Sequence, residues 1–117
     1  MIKTKGVYEP VSKGDGVRVL VTRYWPRGVK KEKTDCWMRD LAPSPALIKK
    51  WKSGAVVWGV FEREYRAEYR EDARRAAFAE LADLIRGGRG AVTLLCTCKE
   101  EDPCHRKILK RMLEKGG

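Results

Sequence analysis

The stretch Val17–Tyr24 (VRVLVTRY) limits most sharply how this chain can fold. In an extended segment Val17, Val19 and Val21 share one face, while Leu20 falls on the other. Apolar side chains on both faces predict a strand inside a covered sheet. Gly90–Cys98 is the most strand-like run in the chain, and Ile2–Tyr8 is a weaker third. Turn-forming residues, Ser12–Gly16, separate the first two strands, and Pro26 and Gly28 end the second.

The remaining apolar positions follow helical spacing. Ser44 before Pro45 predicts an N-cap followed by proline at the first helical position, opening a helix to about Lys52 that Gly54 breaks. Val57, Phe61, Tyr65 and Tyr69 recur every four residues and predict a helix over about 56–71, with Glu62 and Arg66 paired at i,i+4. A third helix is expected over 72–86, with Ala77, Leu81, Leu84 and Ile85 inward and Gly87–Gly88 as its stop. Asp102 as N-cap and Pro103 at the first turn would start the last helix. It would run to about Lys115 and bury Ile108, Leu109, Met112 and Leu113. Strands separated by helices predict an α/β fold, a small layered arrangement with a short, mainly parallel sheet of about three strands covered by helices. At 117 residues without internal repeats, residues 1–117 are expected to form a single domain.

Charge narrows the function classes. Lys and Arg number 26 against 16 Asp and Glu, a formal net charge of +10. Residues 1–58 hold 13 basic against 5 acidic side chains, and residues 59–117 hold 13 against 11, so the surplus concentrates in the first half. Such a patch could follow a phosphate backbone with Trp25 stacking on a base, which makes a nucleic-acid partner one alternative. A structural or interaction module is another, with Trp51 and Trp58 flanking the Gly54 break. No apolar run approaches the roughly 20 residues that cross a bilayer, and the first residues are polar. We therefore expect a cytoplasmic protein with no membrane partner. Asn and Gln are absent altogether, a habit of hyperthermophile proteins.

The chemistry-bearing residues gather in two stretches. In LLCTCKEEDPCHR (94–106), a strand leads through a polar loop into a helix, placing Cys104 and His105 at the helix start. A thiol there feels the positive end of the helix dipole, which favours thiolate, and the same position suits an anion. Cys104 is thus the candidate catalytic thiol, with His105 as its proton carrier or an anion ligand. The second stretch is RYWPRG (23–28). If the two strands run parallel, both loops open at one edge of the sheet, where α/β proteins bind ligands. Arg23, Arg27 and Arg106 would then line one crevice for a small anionic ligand, with Tyr24 or Trp25 as a stacking face. The competing reading pairs Arg23 and Arg27 with Asp40 or nearby carboxylates and puts Trp25 in the core.

Three states are open to the cysteines. C-x-C-x5-C-H could supply four zinc-type ligands. That spacing departs from C-x2–4-C pairs, and neighbouring Cys and His on a helix diverge by about 100°. No metal and no cofactor are expected. A disulfide between Cys98 and Cys104 is one alternative in a high-temperature context; free thiols are the other. Cys36, beside Trp37, reads as a small buried residue. The Cys-x5-Arg loop of phosphatases is excluded, because no cysteine has arginine six positions on.

The blocks IKTKGVY (2–8), RVLVTRYWPRG (18–28), WMRDLAPS (37–44) and VTLLC…CHR resemble the family known as domain of unknown function 488. The resemblance spans nearly the whole chain. It implies a small α/β protein whose pocket residues would be Arg23, Trp25, Arg27, Asp40, Ser44, Cys96, Cys104, His105 and Arg106. This chain departs from the family pattern at Thr22, where an Asp is common, and at Cys98, where Glu is common. Both changes make the pocket more positive. The expected function is an enzyme or sensor for a small anion.

Overall fold

The computed structural model describes residues 2–88, 90–97 and 104–115. Strands β1 (Ile2–Gly6), β2 (Val17–Leu20), β3 (Cys36–Trp37) and β4 (Val92–Cys96) form one sheet in the order β1-β4-β2-β3. Every neighbouring pair is parallel, with Ile2 and Val17 both opposite Val92. The helices are α1 (Pro45–Lys52), α2 (Trp58–Glu68), α3 (Asp72–Gly87) and α4 (His105–Glu114). The expected small α/β fold with a short parallel sheet is therefore observed, with β3 as a fourth strand.

β4 is buried along its whole length, and Val19, Leu20 and Val21 are fully buried, as two-faced apolar patterning requires. On one face Val19, Val21, Val92 and Leu94 meet Leu47 of α1, Phe61 and Tyr65 of α2, Leu81 of α3, and Ile108, Leu109 and Leu113 of α4. The other face is closed differently. Leu20 and Leu95 pack with Val7, Val29 and Trp37. Beside them the β1–β2 connection crosses the sheet. Thr93 Oγ1 donates to the Asp15 carbonyl at 2.7 Å, and Lys3 Nζ to the Gly14 carbonyl at 2.8 Å. Buried Asp15 accepts from Lys5 Nζ at 3.0 Å and from the Ser12 amide at 2.9 Å. A parallel crossover usually carries an α-helix; here a short polar knot around a single 3-10 turn, Lys13–Asp15, takes its place. Gly16 permits the knot, with φ +63° and space for no side chain: a Cβ would stand 1.9 Å from the Ala91 carbonyl oxygen.

Several boundaries differ from expectation for local reasons. β2 stops at Leu20 rather than Tyr24, and Thr22 Oγ1 turns onto the Tyr24 carbonyl at 2.8 Å. Val57 is 70% exposed, because it is the N-cap of α2 and lies outside its apolar stripe. Glu62 and Arg66 pair at 3.1 Å, and Ser44 Oγ caps α1 by accepting from the Leu47 amide. α4 starts with Cys104 as N-cap, two residues later than the start expected at Asp102. Asp102, Pro103 and Cys98 lie outside the described residues, as does the Cys98–Cys104 pairing.

Candidate functional site at the carboxyl edge of the sheet

β2 and β4 are adjacent and parallel, so their carboxyl ends open on one edge. Cys96 ends β4 there, and Val21 follows β2, its amide still bonded to the Leu95 carbonyl at 2.9 Å. Cys104 is extended (φ −154°, ψ 143°) rather than helical. The 100° divergence expected for neighbouring helical side chains therefore does not apply, and its side chain converges with that of His105. Cys104 Sγ lies 3.5 Å from Cys96 Sγ; His105 Nδ1 lies 3.9 Å from Cys96 Sγ and 4.0 Å from Cys104 Sγ. Both thiols are buried.

The other ring nitrogen of His105 fixes its orientation. Nε2 is 2.7 Å from the Val21 carbonyl, an acceptor only, so Nε2 carries a proton and donates it. In the neutral ring, Nδ1 then presents its lone pair to the two sulfurs. Tyr65 packs edge-on against the imidazole, with centroids 5.9 Å apart. Tyr65 and Tyr69 both donate to the Leu41 carbonyl, at 2.5 and 3.0 Å. Burial raises the phenol pKa of both well above the ordinary range.

The cluster forms part of the wall of a cavity of about 620 Å³. Arg23, Tyr24, Trp25 and Pro26 line one side. Lys49, Trp51 and Lys52 of α1, with Trp58 and Phe61 of α2, line another. Trp51 and Trp58 meet edge-to-face at 5.1 Å, and Trp58 stacks on Phe61 at 4.7 Å. The lysines and tryptophans of α1 and α2 were not anticipated in this role; the signal was Lys49 and Lys52 bracketing Trp51 just before the helix break.

Of the residues expected at the site, Arg23, Trp25, Cys96, Cys104 and His105 line this cavity. Arg27 is exposed and does not. Asp40 lines a separate hollow with Cys36 and Trp37, and reaches Arg23 only at 3.9 Å. Ser44 is occupied in capping α1, its own amide donating to Glu68 at 2.9 Å. Arg106 is buried but does not line the cavity. Its Nε and Nη1, and the Nε of Arg23, are buried without hydrogen-bond partners among the described residues. Arg74 contrasts with them: it is buried too, yet it donates to the carbonyls of Asp40 and Ala42 and so pins the loop before α1. Trp25 is 37% exposed, donates to the Val29 carbonyl and packs edge-on against Trp37. Cys36 is half-buried, and burial pushes its thiol pKa up.

Part of the first-half charge surplus is internally engaged. Lys5 pairs with Asp15, Arg18 with Asp35 and Lys50 with Glu64. No helix among the described residues is long and apolar enough to cross a membrane.

Residues 2–117 match the family described as the active DUF488-N3 subclade. The uncharacterised protein YeaO of Escherichia coli is 34% identical over 110 residues, covering 92% of each chain. The uncharacterised protein Rv3073c of Mycobacterium tuberculosis is 32% identical over 114 residues, covering 96% of this chain and 92% of its own. No solved structure gives a significant match. None of these matches bears on a high-temperature source. Matched from Ile2 to Gly117, the chain belongs to the DUF488 family.

Proposed function

We propose that the cavity is a binding site for a small anionic molecule, with Cys104 as its reactive thiol, in a cytoplasmic enzyme or sensor that acts as one α/β unit. The observation that carries this reading is the unmatched donor of Arg23 in the same cavity wall as the Cys/His cluster. Arg23 lines the cavity with a buried Nε that has no hydrogen-bond partner among the described residues. A buried guanidinium donor is costly when unpaired, and a carboxylate or phosphate in the cavity would satisfy it. Lys49 and Lys52 add positive charge at the wall, and the Trp51, Trp58 and Phe61 group favours a ligand with a planar or apolar part. His105 Nδ1, facing both sulfurs, is placed to take the proton that Cys104 gives up on ionising to thiolate.

The test is thermal unfolding of chelator-treated protein in rising phosphate and phenyl phosphate. The midpoint should climb with either anion, more steeply with the aromatic one, and should stop responding in Arg23→Leu. A flat response in the wild type removes the reading. Salt-sensitive binding of single-stranded nucleic acid that survives Arg23→Leu would transfer the function to the basic first half.

A further inference from the structure

We infer that Cys96, Cys104 and His105 together bind one zinc-type divalent ion at the floor of the cavity. Their ligand atoms all lie within 4.8 Å of one another, in a buried group drawn from two elements. The separations between Sγ, Sγ and Nδ1 are 3.5, 3.9 and 4.0 Å. In a tetrahedral zinc site with bonds of about 2.0–2.3 Å, ligand pairs stand roughly 3.5–3.8 Å apart. The trio is thus close to coordination geometry without movement of the backbone.

Two further features separate this cluster from a chance meeting of thiols. The imidazole presents Nδ1 because Nε2 is committed to the Val21 carbonyl at 2.7 Å. Histidine ligands are held in this way, with the second nitrogen donating to a carbonyl or carboxylate that fixes ring and tautomer. The donor set is also selective: two sulfurs and one imidazole suit zinc and disfavour magnesium or calcium. All three side chains line the cavity. Binding would release the two thiol protons and leave both sulfurs as thiolate ligands.

This inference goes beyond the small-anion reading and stands without it. Chelator-treated protein tests the anion site, whereas metal binding with no anion present tests the trio. The full chain would be titrated with Co(II) as a spectroscopic stand-in, then with Zn(II) for X-ray absorption. One equivalent of cobalt should give thiolate-to-metal charge-transfer absorption. The zinc spectrum should show two sulfur ligands and at least one nitrogen. Cys36→Ser/Cys98→Ser should keep the cobalt band, while Cys104→Ser and His105→Ala, with circular dichroism verifying their fold, should lose or weaken it at least tenfold in affinity. A zinc shell of oxygen alone or of four sulfurs in the wild type overturns the assignment, whatever the variants do. So does a cobalt band that vanishes in Cys36→Ser/Cys98→Ser and persists in Cys104→Ser.

Discussion

His105 Nε2 donates to the backbone carbonyl of Val21 across 2.7 Å, joining the first residue of α4 to the chain just beyond β2. The two residues are 84 positions apart, and this contact holds the site's imidazole in one orientation. His105→Ala should leave a carbonyl unpaired and cost about 1–3 kcal/mol of stability. Urea unfolding at neutral pH would measure it.

Gly16 and Gly54 both have positive φ, +63° and +78°, yet their surroundings differ. A Cβ at Gly16 collides with the Ala91 carbonyl, whereas at Gly54 nothing lies within 4 Å. Gly54→Ala should therefore cost only the left-handed backbone penalty, about 1–2 kcal/mol. Gly16→Ala should cost more than that, because β2 and β4 must separate to admit the methyl group. Denaturant midpoints for the two variants would rank them.

Asp15 couples the polar side of the sheet to acid. The Ser12 amide, then the Lys5 and Ser12 side chains, hold its carboxyl down at about 2 against the opposing effect of burial. A pKa lower in the folded than in the unfolded chain stabilises above the unfolded value, near 3.8, and that contribution disappears as pH falls toward 2. Stability should drop across this window in the wild type and less steeply in Asp15→Asn, followed by thermal unfolding from pH 5 to 2.

Tyr65 and Tyr69 give the opposite limb. Burial raises both phenol pKa values well above 10, so their contribution is complete below the unfolded value and declines as pH rises past it. Tyrosinate absorbance from these two rings should appear only as the fold opens, in step with loss of circular dichroism. A tyrosinate signal from Tyr65 in folded protein near pH 10 would contradict this account.

Ser44 discriminates a cap from a ligand contact. Ser44→Ala should lower stability by about 1 kcal/mol and Ser44→Gly by a few tenths, as N-cap substitutions do. Phosphate-induced stabilisation should persist in both, since Ser44 does not line the cavity.

The long signals were readable from the sequence. Two-faced burial of Val19, Leu20 and Val21, the Ser44–Pro45 helix start, and the inward stripes of α3 and α4 all depend on local periodicity or capping. Parallel pairing of β2 with β4 then brought Arg23 and Trp25 to the same cavity as Cys104. β3 escaped because Cys36 and Trp37 are too few to show alternation. The convergence of Cys96, Cys104 and His105 escaped for a different reason. It depends on one extended residue, Cys104, where helical spacing was assumed. Nor does any periodicity reveal a sheet face closed by Asp15 and Lys5 instead of by a helix.

The outermost strands have a consequence for how copies of this chain meet. β3 offers only two residues to an incoming strand, and β1, at the opposite edge, carries Lys3 and Lys5 among its five. Short edges and lysine-bearing edges both resist strand addition. A chain with its apolar β4 at the centre and blunted strands at both edges is thus disfavoured from zipping sheet to sheet when it is concentrated.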